Sequence, residues 1–294
     1  MVLGIAPRDQ ASGLRSVPAA SRTWTLAVTS GKGGVGKTSV AVNLALALAQ
    51  AETRTCLVDG DLGLANVDVL LNLHPRHTLQ EVLAGRLTLD DIVLTGPAGL
   101  QVIPAASGVE ALANLSPPAR RALVDRLQNP STRADVTILD TGAGLSRTVL
   151  ALVMAADEVL VVTTPEPTAL TDAYAMIKVL NQRRPELPVQ ILVNLADQAT
   201  QAREVYEHLA RIVSRFLGRE IPLAGWVPRD PCVERAVREQ RPLMLYFPYA
   251  RASEAIRGLA RRVAARRGEV RSGGFWGRLV EAPDGERSSS DEGK

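Results

Sequence analysis

Apolar residues along the chain fall into short dense runs separated by longer stretches of helical spacing. Runs suited to buried strands are Leu26–Thr29, Thr55–Asp59, Leu100–Pro104, Val136–Asp140, Val159–Thr163, Val189–Asn194 and Leu223–Val227. They are short, rich in Val and Ile, and bounded by Gly, Pro or polar residues, as expected of parallel strands covered on both faces. Helical patterns lie between most of them, at Lys37–Gln50, Pro117–Leu127, Leu145–Ala155, Ala169–Asn181 and Gln201–Leu217. Such alternation predicts an α/β fold, a single domain with a mostly parallel sheet and helices on both faces. That domain is expected to span residues 23–267, with a flexible arm at 1–22. Beyond it, Ser272-Gly273-Gly274 breaks a helix rich in Ala and Arg. Residues 268–294 then form a short apolar segment and a polar, Ser-rich tail expected to be disordered.

Composition narrows the function classes. The chain has 294 residues, 46% hydrophobic and 22% charged, which suits a packed core rather than a disordered chain. Aromatic residues make up only 3%, which argues against base stacking as a main binding device. A net charge of +3 permits contact with nucleic acid or anionic lipid without demanding it. Cys56 and Cys232 form no CxxC pair and read as small buried hydrophobes, although a cluster shared between subunits stays open. No apolar run has signal-peptide length at the N-terminus, and none approaches the roughly 18 residues of a membrane span. A cytoplasmic protein with at most peripheral membrane contact is the expectation.

The segment Gly31-Lys32-Gly33-Gly34-Val35-Gly36-Lys37-Thr38 fits the phosphate-loop pattern G-x-x-x-x-G-K-[ST], between a strand and a helix as that pattern requires. Glycines let the backbone aim its N–H groups at phosphate oxygens, and the helix start adds its positive dipole end. Lys37 reaches the β- and γ-phosphates, and the Thr38 hydroxyl can bind Mg²⁺. Residues Gly31 to Ser39 are thus the expected ATP cradle. Asp59 and Asp61 follow the second strand, where a carboxylate can hold the metal's water shell or orient the attacking water. Asp140 ends another strand ahead of Thr141-Gly142-Ala143-Gly144, which reads as a Mg²⁺-binding aspartate leading into a glycine-hinged switch. Asn194 ends a further strand, and its amide can both donate to and accept from a purine edge.

The extra lysine, Lys32, makes the loop read K-G-G-x-G-K-T and resembles the deviant phosphate loop of the MinD/ParA family of dimerising ATPases. That resemblance implies that Lys32 reaches across an ATP-bound dimer to the partner's phosphates, that Asp61 is the catalytic switch aspartate, and that Asp59 acts near the metal. Gly60 stands where the family often has a bulkier residue and is expected to loosen the segment. The resemblance further places Asn194 on adenine and Pro228 to Asp230 beside the base.

Asp61-Leu62-Gly63-Leu64-Ala65-Asn66-Val67-Asp68 and Pro165-Glu166-Pro167-Thr168-Ala169-Leu170-Thr171-Asp172 resemble the flagellar-number branch, FlhG (also FleN or YlxH). In that branch Asn66 would lie at the dimer face. The arm Asp9-Gln10-Ala11-Ser12-Gly13-Leu14-Arg15 is similar to the branch's D-Q-A-x-x-L-R element, which implies binding to an FlhF-type GTPase through Asp9, Gln10, Leu14 and Arg15. Gly13 weakens a helix there by roughly 1 kcal/mol, as suits folding on the partner. The branch also implies a flagellar transcription activator as partner, no specific nucleic acid, and a position at the inner face of the cell membrane, perhaps polar. A MinD-type septum-placement ATPase and a ParA-like DNA-coating ATPase are the alternatives. For membrane contact, Phe275, Trp276, Leu279 and Val280 beside Arg278 are the expected interfacial anchor. The Arg-rich face around residues 256–267 either attracts anionic lipid or is the solvated side of a docked helix.

Overall fold

The structure, a computed structural model, describes residues 23–61, 67–104, 134–266, 272 and 274–281. The arm at 1–22, Asn66, the predicted helix Pro117–Leu127 and the tail beyond 281 lie outside the described residues. The strands are β1 (Trp24–Ser30), β2 (Thr55–Gly60), β3 (Leu94–Thr95), β4 (Gln101–Ile103), β5 (Val136–Ala143), β6 (Glu158–Thr163), β7 (Val189–Ala196) and β8 (Leu223–Pro228). The described helices are α1 (Lys37–Gln50), α2 (Val67–Leu71), α3 (Leu79–Leu83), α4 (Arg147–Ala155), α5 (Pro167–Arg183), α6 (Ala199–Leu217), α7 (Pro231–Arg238), α8 (Leu243–Tyr246), α9 (Arg251–Arg266) and α10 (Gly274–Glu281).

One eight-stranded sheet runs in the order β3-β4-β2-β5-β1-β6-β7-β8. All pairs are parallel except β3 with β4. Each predicted strand run is present, and β3 is an addition, too short at two residues to leave a hydrophobic period. Apolar clusters cover both faces. One packs α1, α8 and α9 on the sheet, the other α4, α5, α6 and α10. Helix α1 is buried on nearly every side, which explains its run of Ala, Leu and Val without a polar stripe.

Two C-terminal expectations are decided by this packing. Ile256, Leu259, Ala260 and Val263 of α9 are buried, so α9 is a docked helix with its remaining arginines outward. The anchor expectation for Phe275, Trp276 and Leu279 is corrected. Phe275 is 6%, Leu279 4% and Val280 2% exposed, all within the protein's own core, and Trp276 packs against the same cluster. Helix α10 lies on α4 because its apolar face has a better partner there than lipid. Arg278 fixes it in place: its Nε donates to the Ala155 carbonyl at the end of α4 (2.8 Å), and Nη2 donates to Asp157 Oδ1 (2.9 Å). The other Asp157 oxygen accepts from the Thr25 amide of β1 at 2.9 Å. Burial holds the Asp157 carboxyl above its ordinary range even with Arg278 beside it, so desolvation outweighs attraction in this pair.

Candidate functional site

Parallel strands deliver their carboxyl ends to one edge, where loops can gather a ligand. Here β1 continues into the phosphate loop and its two neighbours bring acids beneath it. The register pairs Asp59 of β2 with Asp140 of β5, and Asp140 in turn with Val28 of β1. Three chain segments far apart in sequence therefore meet within one strand spacing.

The loop turns into α1 at Gly36, whose φ of +82° is left-handed, so its amide and those around it face the loop's hollow. A Cβ on Gly36 would also lie 2.5 Å from Asn194 Nδ2. That Asn194 amide donates to the Val35 carbonyl at 2.8 Å, and the residue is 5% exposed. Asn194 thus braces the loop from β7, with its carbonyl oxygen left over for a base edge. Asp230 is corrected in a similar way. Its Oδ1 accepts from the Cys232 amide (2.9 Å) and its Oδ2 from the Ala252 amide (3.1 Å). The carboxylate is spent on capping α7 and tying it to α9, which leaves only the backbone near Pro228 for a base.

Lys37 is 8% exposed, and its Nζ lies 3.8 Å from Asp140 Oδ1. Asp140 is fully buried, yet neither oxygen accepts a hydrogen bond. Burial pushes its pKa up to about 6 against the pull of Lys37. Asp59 is 1% exposed and accepts the amides of Asp61 (3.0 Å) and Val67 (3.5 Å). Burial, with Asp140 and Asp61 adding repulsion, pushes its pKa up to about 7. Acceptor-only oxygens crowded in this way fit a hard divalent cation, and Thr38, Asp59 and Asp140 are the donors Mg²⁺ would meet. Asp61 stands beside the glycine switch: a Cβ on Gly142 would sit 3.7 Å from its Oδ1.

Gly60 departs from expectation. It is a buried strand residue paired with Thr141, not a loose hinge. Its Cβ would approach the Asp140 carbonyl oxygen to 2.8 Å, so glycine is there for close strand approach.

The switch is also wired to the loop. Thr141 Oγ1 donates to the Val28 carbonyl (3.2 Å) and lies 3.0 Å from Thr29 Oγ1. The Gly144 amide donates to the Ser30 carbonyl at 3.0 Å, and Ser30 Oγ donates to the Lys32 carbonyl at 2.8 Å. Sequence reasoning missed Thr141 and Ser30, because lone hydroxyls beside a motif carry no period or spacing. It quoted Glu166 and Thr168 only as a likeness. Yet the Lys32 Nζ donates to Glu166 Oε2 at 2.7 Å and to Thr168 Oγ1 at 2.8 Å.

Comparison with known proteins agrees with this geometry. A family profile described as ParA, an NUBPL iron-transfer P-loop NTPase, matches residues 22–264. The chain is 44% identical over 238 residues to the antiactivator FleN of Pseudomonas aeruginosa, covering 81% of this chain and 85% of that one. It is 34% identical over 240 residues to the flagellum site-determining protein YlxH of Helicobacter pylori, covering 81% of each. Among solved structures, MinD in the Aquifex aeolicus MinC:MinD cell division complex aligns with a TM-score of 0.68 at 27% identity, over 85% of this chain and 99% of that one. MinD of Pyrococcus horikoshii complexed with Mg-ADP aligns at 0.66 and 26% identity, over 84% of this chain and all of that one.

Proposed function

The chain belongs to the ParA/MinD family of P-loop NTPases, with the ATP hydrolase chemistry of that family, and we propose that it is an ATP-timed switch controlling flagellar number and placement. The observation that carries this is the convergence of Lys37, Asp59 and Asp140 under a loop that bears a second lysine at its mouth. The 44% likeness to FleN and the 34% likeness to YlxH favour the flagellar branch over septum placement. Iron transfer, named in the family description, is disfavoured by Cys56: burial in β2 pushes its thiol up to about 12, whereas a ligand must be a thiolate.

In the mechanism proposed, loop amides and Lys37 hold the β- and γ-phosphates of ATP. Mg²⁺ held by Thr38, Asp140 and Asp59 supplies charge neutralisation along the phosphates. Asp61 orients the attacking water, and its place beside Gly142 links that step to the glycine switch. Lys32 of each copy reaches the phosphates of the other, so that ATP holds a homodimer together until hydrolysis. The arm, through Asp9, Gln10, Leu14 and Arg15, engages an FlhF-type GTPase, and a flagellar transcription activator is a second partner. With α10 docked inward, peripheral attraction to anionic lipid falls to outward arginines of α9 such as Arg261, each worth about 1 kcal/mol near the surface. No helix among the described residues is long and apolar enough to cross a membrane.

The test is affinity capture in ATP with the intact chain and with Gln10→Ala. Retention of an FlhF-type GTPase by the intact chain, reduced in the variant, is expected. Capture of a division inhibitor in its place moves the protein to the septum-placement class.

A further inference from the structure

Lys32 has a resting place. Its Nζ sits between Glu166 Oε2 and Thr168 Oγ1, the residues that open α5. The lysine and glutamate side chains are 35% and 64% exposed, so this contact forms on the face that carries the mouth of the phosphate loop. The backbone is fitted to it as well. Gly31 lies so close to α5 that a Cβ would come within 2.1 Å of the Asp172 carbonyl oxygen. Ser30 Oγ meanwhile pins the Lys32 carbonyl. Loop mouth and α5 start thus act as one unit that aims the ammonium at its own chain.

A lysine ammonium has three donors and strong hydration. It cannot keep a carboxylate within one chain and at the same time reach a phosphate on a second copy. From this competition we propose that Glu166 and Thr168 form a dock that holds Lys32 in the monomer, and that opening this dock sets the threshold for dimerisation. Glu166 is therefore a positioning residue acting through Lys32. The inference rests on the ATP-dimer reading above. Exposed ion pairs are weak one by one, but a symmetric dimer must open two, and the two together shift the dimerisation constant by about fivefold.

The experiment measures dimerisation by sedimentation velocity with Mg-ATP, in an Asp61→Ala background that stops hydrolysis. Adding Glu166→Gln keeps the side-chain shape and removes the charge. It is expected to tighten the dimer about fivefold at low salt, with the difference shrinking as salt screens the pair. Lys32→Ala should abolish dimerisation with or without Glu166→Gln, since the glutamate acts only through the lysine. An Asp61→Ala protein that dimerises but is unmoved or weakened by Glu166→Gln overturns the dock. A protein that never dimerises in Mg-ATP overturns the dimer reading itself.

Discussion

An Asp140→Asn substitution is expected to stabilise the nucleotide-free protein while removing its hold on Mg²⁺-nucleotide. Asp140 is fully buried, and its pKa rises from the ordinary 3.8 to about 6, burial being the main cause. A carboxyl with a raised folded-state pKa stabilises the fold only while protonated. That contribution is whole below pH 3.8 and is lost as pH climbs through about 6. Two pKa units correspond to about 3 kcal/mol at pH 8, falling to about 1 kcal/mol near pH 4.5. Asn is nearly the same shape and bears no charge, so it escapes this cost. It also spares Asp59, which faces Asp140 across the β2–β5 pair. Loss of the Lys37 contact at 3.8 Å offsets part of the gain. The assay is urea unfolding of both proteins in chelator without nucleotide, at pH 8 and pH 4.5. An increment of 1–3 kcal/mol at pH 8 that shrinks in acid is expected. Fluorescent-nucleotide titration with Mg²⁺ should show at least tenfold weaker binding by the variant. An increment that is absent, or the same at both pH values, would falsify the claim that burying this carboxylate strains the site.

Gly60→Ala should destabilise by about 1–3 kcal/mol, because its Cβ meets the Asp140 carbonyl at 2.8 Å; thermal unfolding checks this, and an unchanged Tm speaks against a tight strand contact. Arg278→Met should cost about 3 kcal/mol by leaving Asp157 buried and unpaired by its cation, while the Arg278→Met, Asp157→Asn double variant recovers part of that loss. A double variant as unstable as the single one would mean that packing of α10, not charge, holds the helix. Lys37→Ala should lower ATP affinity by more than tenfold in the same titration, and retained binding would displace the phosphates from this loop.

The order of strands and helices was legible because each buried parallel strand writes a dense apolar run, and each covering helix a 3.6-residue period. The phosphate loop, Asp59 and Asp140 were legible because strand ends and glycine spacing locate them before any contact is known. What escaped depends on distance alone. Nothing local marks Asp230 as a cap shared by α7 and α9, or Gly60 as a point of strand contact. Helix α10 misled most. An amphipathic octet with Phe, Trp and Leu looks the same whether its apolar face meets lipid or a neighbouring helix. Its assignment turned on Asp157, a buried carboxylate 121 positions away from Arg278.

The measurement that bears most directly on the switch is the mass in solution of Asp61→Ala, by light scattering after gel filtration, without nucleotide and with saturating Mg-ATP. The prediction is one chain mass without nucleotide, twice that mass with ATP, and one again when Lys32→Ala is added. A single chain mass in saturating Mg-ATP, under conditions where titration proves the nucleotide bound, would contradict it.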